Sequence, residues 1–137
     1  MSQNVLYTGK TLTTGGRDGQ SRSSDNRLDV KLSLPGSNGI GTNPEQLFAA
    51  GWSACFIGAM QHATKALGVS FPADASVAAE VDLRMSAATG FSLAARLNVS
   101  LPGVDRATAQ ALIERAHETC PYSKATHGNI DAVIALA

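Results

Sequence analysis

The sequence has few aromatic residues, few cysteines and no excess of charge of either sign. Only seven of its 137 residues are Phe, Tyr or Trp, so a hydrophobic core must be built mainly from Ala, Val, Leu and Ile. Eleven basic residues balance eleven acidic ones, and the Lys and Arg residues form no cluster. Nucleic acids and anionic membranes are usually bound by such clusters, so the composition argues against both partners.

Long apolar segments are missing as well. The N-terminus, Met1–Val5, lacks the basic and then apolar pattern of a signal peptide. The longest largely apolar stretch, Leu47–Met60, has 14 residues, which is too short to span a bilayer. We therefore expect a cytoplasmic protein. A chain of this length is typical of one domain, residues 1–137.

The distribution of apolar and turn-forming residues predicts an α+β fold with mostly antiparallel sheet, in the order β-β-α-β-β-α-β. Strands are indicated by alternating or β-branched residues between turn signals. The predicted strands are Val5–Thr14, Leu28–Leu32, Val77–Met85, Ser92–Leu101 and Asn129–Ala135.

The first predicted helix is long and unusually apolar. Asn43 suits an N-cap, Pro44 suits the first helical position, and Gly68 is a natural stop after Leu67. The middle of this helix, Phe48–Met60, is apolar on nearly every side. We therefore expect a central helix that is enclosed by protein.

Cys55, on this helix, is the first of two cysteines. In a reducing compartment a permanent disulfide is not expected, so the cysteines could be inert buried thiols, metal ligands or redox groups. A reactive cysteine must be a thiolate. Cys55 lies about three turns into its helix, too far from the N-terminus to gain much from the helix dipole. It therefore needs a cation from elsewhere in the fold.

Cys120 lies at the end of the second predicted helix, which begins after Asp105. Pro121 disfavours helical geometry at the residue before it, so the helix must end there. The negative pole of the helix disfavours a thiolate, which suits a resolving thiol better than a primary nucleophile. His117 is one turn away, but a single His-x-x-Cys pair is weak beside real zinc signatures, and we predict no metal site.

Arg17 and Glu45 are the charged residues in the most informative positions. Arg17 lies in a glycine-flanked turn, a common way to present a side chain into a site, although a solvated surface arginine fits equally. Glu45 lies in the first turn of the first helix, where a carboxylate also stabilises the helix dipole. The residues alone leave both alternatives open.

Four blocks carry the most specific residue combinations: Thr14–Gly19, Ser24–Asp25 with Leu28–Val30, Thr42–Phe56, and Cys120–Thr126 with Gly128–Asn129. In order and content they resemble the organic hydroperoxide resistance (Ohr) family of the OsmC-like superfamily, over almost the whole chain. The Cys-Pro-Tyr-Ser sequence at 120–123 is similar to the Ohr branch rather than its OsmC siblings. One small departure is Trp52, where relatives often carry Tyr.

This resemblance implies a role for each residue. Cys55 matches the peroxidatic cysteine, Cys120 the resolving cysteine, Arg17 the arginine that stabilises the thiolate, and Glu45 the glutamate that orients this arginine. It also implies reduction of organic hydroperoxides in preference to hydrogen peroxide, with no bound cofactor. Recycling by an external dithiol, such as dihydrolipoamide or a lipoylated protein, and an intertwined homodimer are implied too.

Two other classes remain possible. One is a sibling on the same fold, either an OsmC-type peroxidase or a dormant small-molecule-binding module. The other is a structural or metal-binding protein that uses Cys55, Cys120 and His117.

The distance between Glu45 and Cys55 predicts how the site is assembled. Ten residues of straight helix separate them by about 15 Å along the axis and about 80° around it. An arginine held by Glu45 of the same chain would have to cross most of that gap. Either the helix is broken, with Gly51 as the obvious weak point, or Arg17 and Glu45 serve the Cys55 of a second subunit. We expect the shared site.

Overall fold

The structure is a computed structural model that describes residues 3–137. It divides into two compact units, one that ends at Pro44 and one that comprises Glu45–Ala137. Each unit contains a three-stranded sheet. The α-helices belong to the second unit. The predicted α+β class is confirmed, whereas the single domain stays a prediction.

The N-terminal unit is a small antiparallel sheet. Its strands are β1 (Thr11–Thr14), β2 (Gln20–Ser23) and β3 (Asp29–Lys31), in that spatial order. A 3₁₀ turn, Gly16–Asp18, joins the first two strands. Thr14 pairs with Gln20, so this turn is held tightly at the end of a hairpin.

Two expectations for this unit need correction. The predicted strand Val5–Thr14 is paired only from Thr11 onward. Before Thr11, the Lys10 carbonyl accepts a hydrogen bond from the Ser24 N–H at 3.0 Å, but residues 3–10 form no strand and their side chains are exposed. Strand β2 was not predicted, because its sequence, Gln-Ser-Arg-Ser, has no apolar alternation. Its strand geometry comes from its two neighbours, which supply hydrogen-bond partners on both sides.

The C-terminal unit holds the long helix and the larger sheet. Strand β5 is central, antiparallel to β4 and parallel to β6. The elements, in chain order, are α1 (Pro44–Leu67), β4 (Ser76–Ser86), β5 (Gly90–Ser100), α2 (Arg106–Thr119), α3 (Pro121–Thr126) and β6 (Asp131–Leu136).

Helix α1 has the predicted bounds and is unbroken. Gly68 follows it with a φ of 67°, a left-handed conformation that glycine adopts without strain. One face is buried, through Trp52, Phe56, Met60, Ala63 and Thr64. On the opposite face Ala50, Ala54 and Gly58 are exposed in the single chain. The single chain therefore encloses only one face of α1, and the expected enclosure on all sides would need a second surface over these small residues.

Helices α2 and α3 meet at Cys120. Asp105 caps α2 as predicted, since its carboxylate accepts a hydrogen bond from the Thr108 N–H at 3.1 Å. Pro121 ends α2 but also occupies the first position of α3, where a missing N–H costs nothing. Helix α3 was not predicted, because Pro121 was interpreted only as a stop.

The core of the C-terminal unit lies between α1, α2 and one face of the sheet. Alternate residues of β5 contribute Ala95, Leu97 and Val99, as the period of a strand requires. Both helices bury one face against them, and Cys120 is part of the same cluster. The core therefore fixes α1 against the end of α2.

Candidate active site

The two cysteine side chains contact each other. The Sγ atoms of Cys55 and Cys120 are 3.2 Å apart, although the residues are 65 positions apart in the sequence. Both are free thiols in this structure. A disulfide between them would need the sulfur atoms to approach by about 1 Å more. The resemblance implied that the two cysteines react with each other, but residue spacing alone does not predict their contact, since it depends on how α1 packs against the end of α2.

The two thiols differ in their access to solvent. Cys55 is half-buried, so an external reactant can reach it, whereas Cys120 is fully buried behind it. Cys120 is the capping residue between α2 and α3 and belongs to neither helix, with extended backbone angles of −62° and 123°. Its N–H donates to the Ala116 carbonyl at 2.8 Å, which joins its backbone to the last turn of α2. An external reactant can therefore reach Cys55, and the buried Cys120 thiol is in contact with Cys55.

The surroundings of Cys55 favour the neutral thiol. Burial raises the pKa of Cys55, the Tyr122 backbone N–H lowers it, and the hydrogen bond and charge of Cys120 raise it again. The net direction is upward from the ordinary value of a thiol. Thiolate chemistry at neutral pH therefore needs a positive charge beside Cys55, as the sequence also indicated.

Three aromatic side chains, those of Phe48, Trp52 and Tyr122, pack together near the thiols. The Phe48 ring makes edge contacts with Trp52 and with Tyr122, at centroid distances of 5.7 and 6.1 Å. Tyr122 lies on Gly51, where an added Cβ would be 2.9 Å from the phenolic oxygen. Ser123 is fully buried and accepts a hydrogen bond from the Trp52 indole N–H. The sequence did not predict that these aromatic side chains contact one another, because no periodic pattern links α1 to α3.

Arg17 lies in the 3₁₀ turn of the N-terminal unit and is half-buried. Gly15 has a φ of 75°, and a Cβ there would be 2.7 Å from the Cα of Gly19. Glycine at both positions therefore keeps the turn tight beneath the arginine. This confirms the predicted turn, while the role of Arg17 at a thiolate stays a prediction.

Glu45 is the second residue of α1 and is half-buried. Because the helix is continuous to Leu67, the separation from Cys55 along the axis stays at about 15 Å. The alternative in which the helix breaks at Gly51 is therefore wrong. The role of Glu45 stays a prediction.

His117, three residues before Cys120, contacts a second histidine, His127. The rings of His117 and His127 are 5.9 Å apart at their centroids, nearly perpendicular. Burial lowers the pKa of His117, and the charge of His127 lowers it further. Within residues 3–137 no group of three or more His, Cys, Asp or Glu side chains is arranged to hold a metal ion. Among the same residues no helix is long and apolar enough to cross a membrane.

Comparison with known proteins gives a consistent result. Residues 35–134 match the family model described as OsmC-like protein. The chain is 46% identical to an organic hydroperoxide resistance protein of Xanthomonas axonopodis pv. citri, covering 98% of this chain and 97% of that protein. It is 42% identical to the organic hydroperoxide resistance protein OhrB of Bacillus subtilis, over 96% and 98% of the two chains.

Solved structures are similar over the same length. The crystal structure of Bacillus subtilis OhrB superposes with a TM-score of 0.90, at 41% identity, covering 97% of this chain and 100% of that one. An organic hydroperoxide resistance protein from Legionella pneumophila gives a TM-score of 0.90 at 39% identity, over 98% and 99% of the two chains.

Proposed function

This chain belongs to the organic hydroperoxide resistance family of the OsmC-like proteins, and on that premise we propose that it is a thiol-dependent peroxidase that reduces organic hydroperoxides to alcohols. The observation that carries the proposal is the 3.2 Å contact between an accessible thiol, Cys55, and a buried one, Cys120. A metal-binding or purely structural role would not require one exposed and one hidden thiol in contact.

The chemistry begins at Cys55. Its thiolate attacks the terminal oxygen of the hydroperoxide, the O–O bond breaks, and the alkoxide takes a proton and leaves as an alcohol. Cys55 becomes a sulfenic acid. The Cys120 thiol then attacks the Cys55 sulfur, giving a disulfide and water. The short Sγ–Sγ distance supports this second step, since little movement is needed.

Arg17 and Glu45 complete the proposal. The raised pKa of Cys55 means that a cation must be supplied, and Arg17 is the proposed source of this charge. Glu45 orients the guanidinium, for which a bidentate carboxylate is well suited. The charge of the arginine lowers the pKa of the thiol and stabilises the anion that attacks the peroxide.

The oxidised enzyme needs an external dithiol. We propose dihydrolipoamide or the dihydrolipoyl group of a lipoylated protein, which opens the Cys55–Cys120 disulfide by thiol–disulfide exchange. No bound cofactor takes part in this cycle. A reducing cytoplasm, where such dithiols are maintained, is the proposed location.

We further propose a homodimer in which each chain is one domain. Val5, Leu6 and Tyr7 are 82%, 96% and 81% exposed in the single chain. The exposed small residues of α1 would allow a second backbone to approach closely. Together these apolar surfaces support an intertwined partner copy, which would also enclose α1.

The test is steady-state consumption of cumene hydroperoxide with dihydrolipoamide as the reductant. We expect catalytic turnover that depends on both cysteines. A dormant binding module on this fold would consume no peroxide above the uncatalysed rate. A metal-binding protein would lose zinc to a chelator, but its peroxide consumption would not follow Cys120.

A further inference from the structure

A hydrogen bond behind the cysteine pair ties together the two segments that carry the thiols. The indole N–H of Trp52 donates to the Ser123 hydroxyl oxygen at 3.1 Å. Both residues are fully buried. A buried indole N–H that loses its partner finds no water to replace it, so breaking this bond is costly.

The positions of the two residues relative to the cysteines are symmetrical. Trp52 precedes Cys55 by three residues on α1, and Ser123 follows Cys120 by three residues on α3. Residues three apart on a helix are neighbours. The bond therefore joins α1 and α3 about one helical turn from each sulfur atom.

Helix α3 depends on such contacts for its position. It has six residues, and isolated helices shorter than about 12 residues are marginal in water. The Tyr122 ring, which is 41% exposed, also contacts α1, at Gly51 and Phe48. The Thr126 hydroxyl, by contrast, bonds to carbonyls of α3 itself, those of Tyr122 and Ser123. Two polar links therefore join the helices. The Tyr122 N–H bonds to the half-buried sulfur of Cys55, whereas the Trp52–Ser123 bond has two fully buried partners and involves neither thiol.

We propose that Trp52 and Ser123 are positioning residues that hold Cys120 against Cys55. They thereby determine what fraction of the Cys55 sulfenic acid becomes a disulfide rather than a sulfinic acid. This inference rests on the proposed peroxidase function. A Cys55 sulfenic acid has two fates. It condenses with the Cys120 thiol to a disulfide and water, or it reduces a second hydroperoxide to an alcohol and becomes a sulfinic acid, which is inactive. A held Cys120 favours the first fate.

The first test measures this partition. Ser123→Ala removes the acceptor with little change of shape, and Trp52→Phe removes the donor together with part of the buried ring. Thr126→Val is the matched control, because it also removes a buried hydroxyl from α3 but breaks no bond to α1. Each protein is treated with increasing cumene hydroperoxide without a reductant, and the mass gain of two oxygen atoms at Cys55 is quantified. Loss of one hydrogen bond should lower the peroxide concentration at half-conversion about threefold to tenfold in the two test variants. The control should match the parent.

The second test needs no peroxide chemistry. Each protein is equilibrated in glutathione redox buffers, where two thiols and oxidised glutathione exchange to a Cys55–Cys120 disulfide and two reduced glutathiones. The equilibrium constant is the effective concentration of one thiol at the other. We expect it to fall about threefold to tenfold in Ser123→Ala, and at least as far in Trp52→Phe, which also leaves a cavity. The double variant should fall no further, since both changes remove one bond.

The outcomes separate the two proposals. If the parent leaves cumene hydroperoxide intact but the glutathione equilibrium responds as expected, the peroxidase function fails and the positioning role stands. Unchanged glutathione equilibria in both test variants would overturn the positioning role. An equal loss in Thr126→Val, or additive losses in the double variant, would overturn it as well, because general loosening of α3 would then be the cause.

Discussion

Cys55 and Cys120 contact each other but have different surroundings. Cys55 is half-buried on the flank of a helix, and Cys120 is buried at a break between two helices. The order of reaction follows from access, because the external peroxide meets Cys55 first. The sequence predicted the same order from the position of Cys120 at a helix end, but access is the stronger reason.

The first prediction concerns this division of labour. Cys55→Ser should abolish peroxide reduction, since no accessible thiol remains. Cys120→Ser should still reduce one equivalent of cumene hydroperoxide per chain and then stop, with a sulfenic acid at Cys55. Single-turnover assays with a sulfenic-acid trap measure both. If Cys120→Ser lost the first reduction while Cys55→Ser kept it, the assignment would be reversed.

The second prediction concerns the pKa of Cys55, followed through its rate of alkylation as the pH is varied. Burial and Cys120 raise this pKa. Cys120→Ala removes one of these causes, so the pKa of Cys55 should fall. Arg17→Met removes the proposed cation, so it should rise. A higher pKa leaves less thiolate at neutral pH, about tenfold less for each unit by which the pKa rises. Alkylation and peroxide reduction should therefore slow together. An unchanged profile in Arg17→Met would exclude the arginine from the site.

At the scale of elements, the sequence was most informative where local rules and packing agree. Helix α1 was predicted at both ends, because Pro44 and Gly68 mark its bounds and its apolar residues match a buried face. Strand β2 and helix α3 were missed, because their geometry comes from neighbours rather than from their own residues. The contact of the two thiols was implied by the family resemblance but not by local rules, since it is set by the packing of α1, α2 and α3.

The third prediction concerns substrate selectivity, which belongs to α1. Cys55 lies among apolar and aromatic side chains, including Phe48 and Trp52. Burial of two methylenes from a substrate contributes about 1.6 kcal/mol, enough for about tenfold. Alkyl and fatty-acid hydroperoxides should therefore exceed hydrogen peroxide in kcat/KM by at least about tenfold. Equal values for the two classes would contradict an apolar approach to the thiol.

At the scale of the whole molecule, the geometry of α1 bears on the proposed homodimer. The helix is unbroken between Glu45 and Cys55, so Glu45 stays about one and a half nanometres from the thiol of its own chain along the axis. A site assembled from two chains removes this difficulty. The exposed small residues of α1 and the exposed apolar segment at Val5–Tyr7 support the same assembly.

The fourth prediction tests the shared site by complementation. Arg17→Ala chains and Cys55→Ser chains should each be inactive. When the two are mixed and subunits exchange, mixed dimers should recover one working site. Exchange is verified by mass spectrometry of differently tagged chains. No recovery despite exchange would place all four residues in one subunit.

The central claim is that one organic hydroperoxide is exchanged for one Cys55–Cys120 disulfide. The most direct measurement treats the reduced protein with one equivalent of cumene hydroperoxide and determines the alcohol formed, the free thiols remaining and the cross-linked peptides. We predict one alcohol per chain, loss of both thiols and a single cross-link between Cys55 and Cys120. Unreacted peroxide with both thiols still free, or alcohol formed without this disulfide, would contradict the account.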